Sequence, residues 1–477
     1  MNILQEIADQ RRRDIDSIGH SQGLELPKHR SSPLAKLPAE PFLIAEIKRR
    51  SPSAGSIAAV PGPLRQAEVY LQGGAAAVSV LTEETHFGGS LRDLLRLKER
   101  FPESFFLRKD FLLDEEDILV SHQTGADGVL LIVAILDDRR LEALYRTAVG
   151  LGMEVLVEVH TQEELARAAK LKPRLLGINS RDLRDFSVDL LQPLRLKNRI
   201  DWAPRLVFES GIRSAEDAAI AYAAGFDALL VGETLMRRPT LLSEIRDARS
   251  YHRSDRFWST LGSRSDSRPL VKICGLTRRE DVEAAEQLGA NLLGFVCAPS
   301  PRRVSADFIR RIGPTRAPKV AVVVSEGPRA QLPPEVAQLL AEAAIDAVQF
   351  HGNESPESCF DAAFPYYKAL RLKSTESIAA LKKYRSPRVL VDAYVPDAYG
   401  GSGKRIDPEL LEAAAAVGPL WVAGGIGPEN VAEIIHRYRP ELIDLSSSLE
   451  SKPGEKDREK IRRFMDAVRD ADSRITV

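Results

Sequence analysis

From residue 42 onward the chain alternates short apolar runs with longer stretches in which apolar residues recur at helical spacing. Residues 42–48, 76–82, 105–111 and 128–136 are β-branched and aromatic and too short for buried helices, so they predict strands. Residues 154–160, 175–180, 206–210 and 228–232 continue the series, separated by helical segments such as 161–170 and 214–224. Runs without in-and-out alternation predict strands covered on both faces, as in a parallel sheet flanked by helices. Eight of them in roughly 200 residues predict closure into a (β/α)8 barrel, with an open doubly wound sheet as the alternative. The rhythm then lapses. Residues 251–268, rich in Ser, Arg and Asp, read as an exposed connector. It restarts with runs at 270–274, 292–297, 319–325, 347–351, 367–372, 389–392, 421–423 and 442–445. The expected α/β architecture is thus two tandem (β/α)8 TIM barrels, residues 1–250 and 269–477. Ahead of the first, Ile3, Leu4, Ile7, Ile15 and Ile18 among charges predict an extra amphipathic helix whose polar residues need no function.

The 477-residue length suits two large domains. Its 67 basic and 68 acidic side chains leave a net charge of −1, without the basic excess that nucleic-acid binding requires. Hydrophobic content of 44% with 28% charged residues fits a folded, soluble chain. The N-terminus is charged where an export signal needs an apolar centre, and no window reaches the ~18 apolar residues of a membrane span. Cys274, Cys297 and Cys359 form no CxxC pair, and the eight histidines lack metal-ligand spacing. The expectation is a cytoplasmic protein with no metal site.

Chemistry in such barrels sits at the carboxyl ends of the strands, so polar residues that close apolar runs carry the information. In the first half Glu46 and Lys48, Lys109, Glu158, Asn179 with Arg181, and Glu209 with Ser210 occupy these positions. One such charge is an ordinary solvated strand end. The whole set would mean several costly buried ions without purpose. Lys109, among Phe105, Phe106, Leu107 and Phe111, suits a proton donor or anion partner, and Glu158, between Val157 and Val159, an acid or base. The turns Ser210-Gly211 and Gly232-Glu233 follow the last two strands, where barrels bind phosphate with backbone N–H groups. In the second half Cys274 and Asp392 close strands and Arg302 lies in the loop after the second, with Gly424-Gly425 and Ser446-Ser447 as a second phosphate cradle. The run at 400–404, GGSGK, misses the spacing of a nucleotide-binding loop.

The strings AEIKRRSPS (45–53), SVLTEETHFGGS (79–90), RKDF (108–111), GINSRDL (177–183) and ESGI (209–212) resemble the indole-3-glycerol-phosphate synthase family. VKICGLT (271–277), VQFHG (348–352), VD (391–392), GGSGK, GGI (424–426) and PENV (428–431) resemble phosphoribosylanthranilate isomerase. Together they resemble the fused bifunctional enzymes of tryptophan biosynthesis, in which the second barrel makes the substrate of the first. The isomerase resemblance implies an Amadori rearrangement of a phosphoribosyl-anthranilate, with Asp392 protonating the ribose ring oxygen and Cys274 removing the C2′ proton. Those roles need a protonated Asp392 and a Cys274 thiolate, the reverse of free preferences near about 3.9 and about 8.5. Burial would raise the first and a basic neighbour lower the second. Arg302 would hold the anthranilate carboxylate. His351, Gly401, Gly403, Gly424, Gly425, Ser446 and Ser447 would contact substrate.

The synthase resemblance implies ring closure, decarboxylation and dehydration of the linear carboxyphenylamino-deoxyribulose phosphate. Lys109 would be the general acid, Glu158 an acid or base, Lys48 a second proton-transfer group, and Glu46, Asn179 and Glu209 the orienting set. Pro52, Phe87 and Phe111 would sandwich the aromatic ring; Ser51, Lys48, Arg181, Ser210, Gly211, Gly232 and Glu233 would serve carboxylate or phosphate. No cofactor is implied, and a monomer is expected because fusion can replace barrel dimerisation. Glu233 and Ser448 depart from the families' Ser and Gly, and the loop before Arg302 is one residue short. The alternatives are a histidine-pathway type of isomerase, which uses paired aspartates, and a catalytically silent second barrel that only binds phosphate.

Overall fold

The computed structural model describes residues 3–51, 55–56, 62–182, 187–250, 256–262, 268–325, 331–359, 364–384, 386–394 and 405–473. Two compact units result, Met1–Asp255 with Leu261–Ser263 and Arg256–Thr260 with Arg264–Val477.

The first unit is a closed barrel of eight parallel strands. They are β1 (Phe42–Ile47), β2 (Ala77–Leu81), β3 (Phe105–Lys109), β4 (Gly128–Ile132), β5 (Glu154–Val159), β6 (Leu175–Asn179), β7 (Arg205–Glu209) and β8 (Ala228–Val231). β1 pairs with both β2 and β8, which closes the ring. Helix starts are written locally: the side chains of Ser90, Asp114, Asp137, Thr161 and Ser214 each accept from a first-turn N–H of the helix they precede. Inside the ring Ile44, Leu107, Leu130, Leu156, Val207 and Leu230 form one buried apolar cluster. Two residues further along β1, β3, β5 and β7 stand Glu46, Lys109, Glu158 and Glu209. The two-residue repeat of a strand therefore stacks the charged layer directly on the apolar one.

One expectation needs correction here. The fourth apolar run does not stay extended to residue 136: β4 ends at Ile132 and Val133–Ile135 is a 3-10 turn. Val133 and Leu136 are buried all the same, so hydrophobicity persisted where the backbone changed. The N-terminal helix, Ile3–Ile18, buries Leu4, Ile7 and Ala8 but leaves Ile18 49% exposed. It also buries a charge, since Arg11 donates to Asp117 at 2.7 Å with both side chains out of solvent.

The second unit is another closed parallel barrel. Its strands are β9 (Leu270–Ile273), β10 (Leu292–Val296), β11 (Lys319–Val323), β12 (Ala347–Phe350), β13 (Tyr366–Leu372), β14 (Val389–Ala393), β15 (Trp421–Val422) and β16 (Leu442–Leu445). All sixteen strands lie on the runs expected from the sequence. The connector is not wholly exposed: Arg256–Gly262 is helical and buries Phe257, Trp258 and Leu261. The Phe257 ring lies parallel to Tyr367 at 5.8 Å, and Trp258 packs on Trp421 at 6.2 Å. Tyr367 and Trp421 belong to the starts of β13 and β15, so these aromatics cover the amino end of the barrel, opposite its mouth.

Candidate active sites

At the first barrel's mouth Lys109 Nζ lies 2.6 Å from Glu209, 3.5 Å from Glu158 and 3.9 Å from Glu46. Lys48 Nζ lies 3.1 Å from Glu46. Three carboxylates thus surround two ammonium groups. Burial alone would lower Lys109, but Glu209, Glu158 and Glu46 outweigh it and hold the ammonium above its ordinary range. Burial would raise Glu46, but Lys48 and Lys109 hold it low. The excess negative charge is relieved at Glu209, whose carboxyl is pushed up to about 8 by burial and by Glu158 against the pull of Lys109. The carboxyl poised near neutrality is therefore Glu209. Its burial and its neighbours across the ring, not its own flanking sequence, set that value.

Asn179 lies opposite Glu209 in the β6–β7 register, and its Oδ1 accepts from the Arg181 N–H at 3.0 Å. Burial lowers the half-buried Arg181 guanidinium, with Glu233 and Glu46 opposing. Ser210 and Gly211 are consecutive left-handed residues at the end of β7, a conformation that turns successive N–H groups to one side. Gly232 starts the short helix Glu233–Arg237, in which Glu233 pairs with Arg237 at 3.2 Å. The rings of Phe87 and Phe111 stack on each other with centroids 6.2 Å apart. A third ring between them needs about 7 Å, so they form one aromatic wall and not two opposed jaws. Pro52 lies outside the described residues, and Ser51 ends the described backbone there.

In the second barrel Cys274, Arg302, His351, Asp392, Gly424, Gly425, Ser446 and Ser447 line one cavity. Gly401 and Gly403 lie outside the described residues. Asp392 accepts from the Ala393 N–H at 2.8 Å through Oδ1, and its Oδ2 lies 3.0 Å from His351 Nε2. The expected lowering of Cys274 is not what the structure holds. Burial pushes the thiol up, and Lys272 only partly offsets it. The Nε and Nη2 edge of Arg302 is taken by Glu450, with both contacts at 2.8 Å. Glu450 is held low by Arg302 and Lys456 although burial opposes them, and Lys456 bonds it at 2.8 Å.

Several site residues escaped the sequence reading. A Cβ on Gly177 would collide with Glu209 Oε1, and one on Gly294 would lie 2.6 Å from Cys274 Sγ. These glycines leave room for a side chain at the end of the neighbouring strand. Beneath the second mouth lie buried Lys272, Gln349, Tyr367 and Asp444. Period two would have found three of them, because Lys272, Gln349 and Asp444 stand two residues before Cys274, His351 and Ser446.

A family model described as indole-3-glycerol phosphate synthase matches residues 4–248, and one described as N-(5'phosphoribosyl)anthranilate (PRA) isomerase matches residues 271–467. A multifunctional tryptophan biosynthesis protein of Phycomyces blakesleeanus is 34% identical over 90% of this chain and 63% of its own length. One from Schizosaccharomyces pombe is 34% identical over 91% of this chain and 60% of its own. The chain thus spans less than two thirds of these two relatives. A tryptophan biosynthesis protein of Phytophthora nicotianae is 31% identical over 98% of this chain and 97% of its own. No helix among the described residues is long and apolar enough to cross a membrane. The chain belongs to the indole-3-glycerol phosphate synthase family through its first barrel and to the phosphoribosylanthranilate isomerase family through its second.

Proposed function

We propose that the chain is a bifunctional enzyme of tryptophan biosynthesis: the second barrel isomerises N-(5-phosphoribosyl)anthranilate to 1-(2-carboxyphenylamino)-1-deoxyribulose 5-phosphate, and the first converts that product to indole-3-glycerol phosphate. One observation carries the reading: each barrel gathers its own acid–base groups at its carboxyl mouth, Lys109 among three carboxylates in one and Cys274 with Asp392 on one cavity in the other.

In the isomerase, Asp392 gives a proton to the ribose ring oxygen as the C1′–O bond breaks, leaving a Schiff base. Cys274 then takes the C2′ proton, and the enolamine becomes the ketone. The raised thiol makes the resting Cys274 a poor base, so binding must bring it toward thiolate, with Lys272 the cation that most favours that form. Arg302, oriented by Glu450, faces the anthranilate carboxylate. In the synthase, Lys109 protonates the ketone oxygen as the ring closes, CO2 leaves, and Glu158 with Lys48 serves the loss of water. Glu46, Asn179 and Glu209 hold these groups in place. The backbone N–H groups at Ser210, Gly211 and Gly232, and at Gly424, Gly425, Ser446 and Ser447, serve the two phosphates.

Paired single substitutions test this. Lys109→Ala is expected to lower indoleglycerol phosphate formation by about 10³-fold and leave isomerisation intact, and Cys274→Ala to do the converse. Loss of both activities from either change in a folded chain would defeat the assignment of two independent sites.

A further inference from the structure

The polar layer under the second mouth forms one connected path. Lys272 Nζ bonds Asp444 Oδ2 at 2.6 Å and Gln349 Oε1 at 2.8 Å. The Tyr367 hydroxyl donates to the same Gln349 oxygen at 2.9 Å. The other amide atom of Gln349 lies 3.1 Å from His351 Nδ1, and His351 Nε2 lies 3.0 Å from Asp392 Oδ2. All these side chains are buried.

Donor and acceptor rules leave this path one arrangement. An ammonium offers only protons, so the Gln349 atom facing Lys272 must be the oxygen, and the one facing His351 the NH2. The NH2 only donates, so His351 Nδ1 must be bare. The proton of the neutral ring then sits on Nε2 and is donated to Asp392. Turning the ring over would put carbon atoms at both contacts and lose both bonds. The charged and titratable groups facing this imidazole are Asp392 on its Nε2 side, the Lys272–Asp444 pair and Tyr367 behind Gln349, and Cys274 on the same cavity.

We propose that Gln349 is a positioning residue: locked by Lys272 and Tyr367, it fixes His351 as the Nε2–H tautomer, and His351 so orients Asp392 that its acid proton is presented to the bound substrate and not to the imidazole. A bare Nε2 would compete for that proton; an Nε2–H group cannot. The kinetic consequence rests on the isomerase reading, whereas the tautomer does not.

The test is a long-range proton–nitrogen correlation spectrum of the ¹⁵N-labelled full chain, with the His351 signal identified by its loss in His351→Asn. The expected pattern is Nε2–H with a bare Nδ1; an Nδ1–H pattern overturns the proposal. Gln349→Glu replaces the donating NH2 by an accepting oxygen. It is expected to place a proton on Nδ1, lower isomerase kcat about tenfold or more, leave KM within about threefold, and alter the pH profile of kcat. An unchanged His351 signal or an unchanged kcat in folded Gln349→Glu also overturns it. Should that variant not fold, Tyr367→Phe, which keeps the Lys272 contact, must retain the Nε2–H pattern; a switch to Nδ1–H refutes the lock. A wild-type chain that shows Nε2–H but no isomerase turnover would sink the isomerase reading and the kinetic role together, leaving only the tautomer.

Discussion

The two barrels solve the same problem, holding ionisable groups at a strand-built mouth, with opposite interiors. In the first, the charged layer of Glu46, Lys109, Glu158 and Glu209 rests on an aliphatic plug that includes Ile44, Leu107, Leu156 and Val207. Its charges balance one another within the mouth. In the second, Cys274, His351 and Asp392 rest on a buried polar layer of Lys272, Gln349, Tyr367 and Asp444, with aromatic rings of the preceding helix below it. Orientation there comes from beneath. An apolar floor cannot direct a side chain by hydrogen bonds, so the first site fixes geometry by mutual ion pairing. A polar floor can, so the second holds Asp392 by a chain of directed bonds.

The comparison breaks most sharply if the polar floor is removed on one side only. Asp444→Leu leaves Lys272 charged and buried, and is expected to destabilise the second barrel by about 3–5 kcal/mol in urea unfolding. Lys272→Met with Asp444→Leu should recover much of that loss, because two charges leave together. If the single variant unfolds like wild type, the floor is not an ion pair. The room made by small residues comes next. Gly177→Ala is expected to displace the Glu209 carboxylate and lower synthase kcat about 100-fold, with isomerase activity unchanged. Gly294→Ala should act in mirror image through Cys274.

A smaller effect separates the barrels by pH. The folded chain holds the Glu209 proton up to about 8 because the group is buried beside Glu158. The stability this gives is fully present below the unfolded carboxyl value near 4.5 and is lost as pH rises toward and through 8. Glu209→Gln should flatten that decline in the first barrel's unfolding; an unaltered slope would show that Glu209 is not the titrating group. The smallest change expected is for Glu450→Gln, which loosens the Arg302 guanidinium. It should raise isomerase KM a few-fold with kcat nearly constant, and an equal fall in kcat would place Glu450 in the chemical step.

Much of the molecule is written in local sequence. Every barrel strand falls on a short apolar run, and several helix starts in the first barrel are marked by Ser, Thr or Asp caps, because burial on both faces and first-turn hydrogen bonds impose those residues position by position. The polar residues closing the runs named Glu46, Lys109, Glu158, Glu209, Cys274 and Asp392. What sequence could not reach was set between strands distant along the chain. Glu209 is pushed toward neutrality by its burial and by Glu158 from a neighbouring part of the ring, against the pull of Lys109 at 2.6 Å. Whether Cys274 is raised or lowered depends on burial set against Lys272 and Lys456, and Arg302 meets Glu450 across 148 residues. Hydrophobic periodicity reports a residue's own face of its own strand, whereas charge, tautomer and steric room are properties of neighbours that only ring closure brings together.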